Sequence, residues 1–92
     1  MKVLWPRRAR AEFNAAIDYL QQHSPAGARR IAEDIERSVL LVETFPHIAP
    51  ASRHKGLRQK TVPSTPYIIV YRIKSDQIEI RAVIHTGQRR RR

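Results

Sequence analysis

From Arg7 to Val42 the hydrophobic period of this chain is three or four residues and after Gly56 it is two, and that change constrains its fold more than any other feature. Phe13, Ala16, Ile17 and Leu20 recur at helical steps, while Glu12, Asp18, Gln21 and Gln22 fall mostly elsewhere, so an amphipathic helix is expected from Arg7 to near His23. Ser24-Pro25 then supplies an N-cap followed by a proline at the first helical position, where its missing N–H costs nothing. Ala28, Ile31, Ala32, Ile35, Val39 and Val42 line one stripe of the second helix this predicts, which Phe45-Pro46 ends. Two helices therefore form a hairpin.

On either side of the hairpin the pattern is extended. Lys2 to Trp5, closed by Pro6, suits an edge strand leading into the first helix. The polar stretch from His47 to Gly56 has no period and reads as a loop. After it, Leu57 to Val62 and Tyr67 to Ile73 are strands separated by a Pro63-Ser64-Thr65-Pro66 turn, and Lys74-Ser75-Asp76 turns the chain again. From Gln77 the alternation puts Ile78, Ile80, Ala82 and Ile84 on one face, with Val83 as the exception. The helical stripe has to bury itself against something, and the apolar sheet face is the one large partner offered. The expected class is α+β, in the order β-α-α-β-β-β, with the helical hairpin packed on a small antiparallel sheet.

With 92 residues the chain holds a single core, assigned to residues 1–85, and residues 86–92 read as a flexible basic tail. No apolar run approaches the roughly 20 residues of a membrane span, and the N-terminus lacks the pattern of a signal peptide. Without cysteine there are no disulfides or thiolate metal sites, and histidines at 23, 47, 54 and 85 match no ligand spacing. No metal or cofactor and a cytoplasmic location are the expectations. The net charge of +10 is unevenly placed: residues 1–52 carry seven Lys/Arg against six Asp/Glu, whereas residues 53–92 carry eleven against two. Such a field favours an anionic partner, whether nucleic acid, acidic protein or membrane surface.

Three local signatures occur in this order. Leu4-Trp5-Pro6 runs into an Ala/Arg-rich helix, Ser24-Pro25-Ala26 opens the second helix, and Gly56-Leu57-Arg58 precedes Pro66-Tyr67-Ile68-Ile69-Val70-Tyr71-Arg72-Ile73 and Ile78-Glu79-Ile80-Arg81-Ala82-Val83-Ile84-His85. Together they make nearly the whole chain resemble the RelE/ParE toxin superfamily, and most closely its ParE branch. The resemblance implies the toxin of a type II toxin–antitoxin pair, neutralised by a ParD-like antitoxin. ParE-like members poison DNA gyrase, whereas RelE-like members cut messenger RNA on the ribosome, and fold alone does not choose between them.

For RNA cleavage the residues to nominate are Arg58 and Arg81 as phosphate-binding cations and His85 as the proton carrier. RelE-like members often carry a tyrosine in the tail, and here no tyrosine follows Tyr71. That favours a non-enzymatic, gyrase-inhibiting reading. Each residue also has a structural alternative: Arg58 pairing with Glu79 or a loop carbonyl, His85 stabilising a turn, Trp5, Tyr67 and Tyr71 packing in the core. A short edge strand and a groove between hairpin and sheet are docking places for an acidic antitoxin, expected near Trp5, Arg58, Arg72 and Arg81. Arg89, Arg90, Arg91 and Arg92 are the expected target-binding residues, or else a solubilising tail. A basic nucleic-acid-binding module without toxicity is the remaining reading.

Overall fold

The computed structural model describes residues 1–87. Its elements run β1 (Lys2–Leu4), α1 (Arg7–His23), α2 (Pro25–Thr44), β2 (Arg58–Thr61), β3 (Tyr67–Lys74) and β4 (Gln77–His85), in the order expected from the periodicity. Between α1 and α2 only Ser24 is non-helical. Its extended backbone and its Oγ, which accepts from Gly27 N–H at 3.1 Å, cap the second helix while Pro25 occupies the first turn.

The four strands lie in the order β1-β4-β3-β2. β2, β3 and β4 are antiparallel neighbours, as the meander reading requires. β1 joins the far edge in parallel with β4, pairing Val3 with Ile78 and Leu4 with Glu79. A single helix hairpin covers one face of this sheet. Its stripe contributes Phe13, Ile35 and Val42, the strands contribute Ile69, Tyr71, Ile78, Ile80 and Val83, and together they form one cluster.

The register explains why Val83 breaks the alternation. Val70 pairs with Ala82 and Tyr71 with Ile80, so Arg81 is the extra residue of a β-bulge. A bulge shifts the phase of every side chain beyond it. Ile78 and Ile80 before it and Val83 after it all face the helices, whereas Ala82 and Ile84 pair with Val70 and Ile68 on the opposite face. The single apolar face expected from Ile78 to Ile84 is therefore split in two by Arg81.

The loop from Pro46 to Leu57 is tied to the sheet from below. Tyr71, fully buried, donates its hydroxyl to Pro46 O at 2.7 Å. Arg58 Nη1 donates to Ala49 O at 2.7 Å. Beyond β4, Thr86 N–H donates to Pro66 O at 2.8 Å, so the chain is still anchored at the first residue of the expected tail.

Candidate functional site

The sheet face turned away from the helices, open around Arg72 and Arg81 while Ile68 and Val70 on it are buried, carries a three-residue charge cluster. Arg72 and Glu79 are cross-strand partners on β3 and β4. Arg72 Nε donates to Glu79 Oε1 at 2.7 Å, and Arg81 Nη1 donates to the same oxygen at 3.2 Å. Strict alternation already sets residues 79 and 81 on one face; the bulge begins at Arg81 and leaves this neighbourhood intact. Hydrogen bonds from Arg72 and then Arg81 hold the Glu79 carboxyl below the usual carboxylate range, so it is ionised at neutral pH. Both guanidiniums keep donors that this oxygen does not use, and both side chains remain partly exposed.

The second surface is a groove between α2 and β2, about 520 Å³ in volume, whose walls include Ser38, Leu40, Leu41, Thr44, Lys60 and Pro63. Leu40, Phe45 and Ile48 are 60%, 56% and 46% exposed, making the α2 C-terminus and the loop after it an apolar shoulder. β2 is the sheet edge beside it; Ala51 of the loop bridges its first residue, Arg58, and no strand among the described residues pairs with the rest of its outer side. Sequence reasoning expected a groove between hairpin and sheet but did not single out these residues. Their signal was present: Leu40, Leu41 and Phe45 are apolar yet fall off the α2 stripe.

The other nominated residues are dispersed. Trp5 packs against Phe13 with ring centroids 5.6 Å apart, and the Arg10 guanidinium covers its face at 4.3 Å. It is a half-buried extension of the core that keeps one surface towards solvent. Arg58 pairs with Tyr71 on the helix-facing side and is engaged by the Ala49 carbonyl, the loop-carbonyl alternative foreseen for it. His85 pairs with Tyr67 at the other end of β3, in an edge-on ring contact at 5.4 Å, and its Nδ1 accepts from Gly87 N–H. The expectation that Arg58, Arg81 and His85 share one side of the sheet is thus corrected. Arg58 and His85 project to the helix side from opposite ends of β3, and Arg81 projects to the open side. Arg89 to Arg92 lie outside the described residues.

Among the described residues no three His, Asp or Glu side chains gather as a metal site, and no helix is long and apolar enough to cross a membrane. Burial pushes the Tyr71 phenol up, opposed in part by a backbone hydrogen bond at Ala49 and by the Arg58 charge. It is a structural hydroxyl, closed off from solvent.

The comparisons with known proteins agree with this architecture. Residues 3–90 match the family model described as "ParE toxin of type II toxin-antitoxin system, parDE". No curated protein matches the chain significantly. A solved structure described as "Chromosomal ParDE TA system from P. aeruginosa" superposes with a TM-score of 0.75 at 25% identity, covering 92% of this chain and 95% of that one. The β-α-α-β-β-β order, the short hairpin at Ser24 and a family match across almost the entire length lead to one conclusion: the chain belongs to the ParE family of type II toxins.

Proposed function

We propose that the protein arrests growth by binding DNA gyrase and stalling it on cleaved DNA, acting in the cytoplasm as a non-enzymatic poison. The observation that carries this reading over ribosome-dependent RNA cleavage is the dispersal of Arg58, Arg81 and His85. In-line cleavage needs a base, a leaving-group acid and a phosphate-binding cation within hydrogen-bond reach of one phosphodiester. Here the three candidates occupy two faces and opposite ends of the sheet. The arginines from 89 to 92 are the proposed contacts to the target.

A cognate ParD-like antitoxin is the proposed inhibitor. Its apolar residues fit the groove between α2 and β2, its backbone can pair with the β2 edge, and its acidic residues meet Arg72 and Arg81 on the open face. Arg58 contributes by holding the loop at the rim of that groove, and Trp5 offers its exposed face at the opposite edge. The deciding measurement is gyrase supercoiling with and without the purified protein, alongside His85→Ala and a chain lacking residues 89–92. Inhibition retained in His85→Ala and lost without the arginines is expected. Intact gyrase activity, together with codon-positioned cuts in translated messages after induction, would replace this reading with RNA cleavage.

A further inference from the structure

At the end of the sheet remote from the α2–β2 groove, α1 and β4 enclose a second cleft of about 470 Å³. Glu12, Ala15, Ala16 and Tyr19 line it from one face of α1, at the three- and four-residue steps that put side chains on one side of a helix. Tyr67, Val83, Ile84 and His85 line it from the sheet. Three rings and the side chains of Ala15, Ala16 and Val83 thus surround a single carboxylate, in a chain whose net charge is +10.

That carboxylate is poorly satisfied. Glu12 Oε1 is sealed from solvent and accepts no hydrogen bond among the described residues. Oε2 has only a loose contact with Arg8 Nε at 3.6 Å, on an arginine side chain that is 91% exposed. A sealed carboxylate oxygen without a donor is costly, and native structures seldom keep one without a purpose. Beside it, burial and then the neighbouring Tyr19 push the Tyr67 phenol up, keeping that wall neutral.

We propose that this cleft is a binding site for an arginine side chain presented by a partner protein. The Glu12 side chain is 37% exposed, and when it turns its sealed Oε1 into the cleft a guanidinium supplies the donors that oxygen lacks, in a charge-assisted pair. Its flat face stacks on Tyr or His rings, which an ammonium does less well, and its aliphatic stem suits walls made by Ala15, Ala16 and Val83. The exposed Tyr19 ring, 61% accessible and in contact with His23 at 4.6 Å, stands at the mouth where it can close over the ligand. The site selects the opposite charge from the acidic segment proposed for the antitoxin, so the two inferences stand or fall separately.

The test is an NMR titration of the full chain with Nα-acetyl-arginine amide, using the neutral isostere Nα-acetyl-citrulline amide as control. Shifts confined to the α1 and β4 residues around the cleft, with arginine preferred about tenfold, are expected. Glu12→Gln, which keeps the shape and removes the charge, should abolish the preference, and Tyr19→Ala should weaken arginine binding with the fold intact by circular dichroism. Equal responses to arginine and citrulline, an unchanged preference in Glu12→Gln, shifts centred elsewhere, or no response at all would each overturn the proposal.

Discussion

Single residues set the local constraints of this fold, and three of them give direct tests. Tyr71 is fully buried and its hydroxyl reaches Pro46 O at 2.7 Å. Tyr71→Phe leaves that carbonyl without its donor and should cost about 1–2 kcal/mol in urea unfolding, with faster proteolysis of the loop from 46 to 57. Ser75 sits in the β3–β4 turn at φ 58°, a left-handed conformation that glycine adopts more readily. Ser75→Gly should therefore raise stability by about 0.5–1 kcal/mol, read as a higher Tm. Glu79 titrates below its ordinary range because Arg72 and Arg81 donate to it. A lowered folded-state pKa adds stability that is fully present above the unfolded value and is lost as pH falls through the folded one. The stability difference between the protein and Glu79→Gln should thus be constant near neutrality and shrink in the acid range below about pH 4, as measured by urea midpoints.

At the scale of elements, the sequence was legible wherever local pattern and burial agree. The Ser24-Pro25 junction is readable because capping chemistry acts over three residues; Ser24→Ala should lower stability by about 1 kcal/mol, seen in thermal unfolding. The ends of β4 were equally plain from its turn and its length. The facing of Ala82 and Ile84 was not, because a bulge at Arg81 depends on the partner strand, and its one trace within β4, the out-of-step Val83, does not say where the two-against-one pairing falls. The parallel docking of β1 beside β4 was hidden for the same reason, being a contact between residues more than seventy positions apart. The candidate surfaces were legible in part. Arg72 and Arg81 do share the open face, but Arg58 and His85 are claimed by the Ala49 carbonyl and the Tyr67 ring, partners that only tertiary structure brings near.

Over the whole molecule, a +10 chain places its acidic Glu12 cleft and its arginine-rich open face on opposite sides of one thin sheet. Binding of an acidic antitoxin segment should weaken steeply with salt, since it draws on the summed field of the basic half of the chain. A complex whose affinity is unchanged between low and physiological salt would count against electrostatic capture. The strand order adds a consequence in time. β1 leaves the ribosome first, yet its hydrogen-bonding neighbour β4 is made some seventy residues later, and the helix hairpin has no finished sheet to rest on until then. Long-range pairing of this kind delays the cooperative fold until β4 has been synthesised. A growing chain of this toxin is consequently inert for most of its own translation, and its surfaces come into being together, at the last strand.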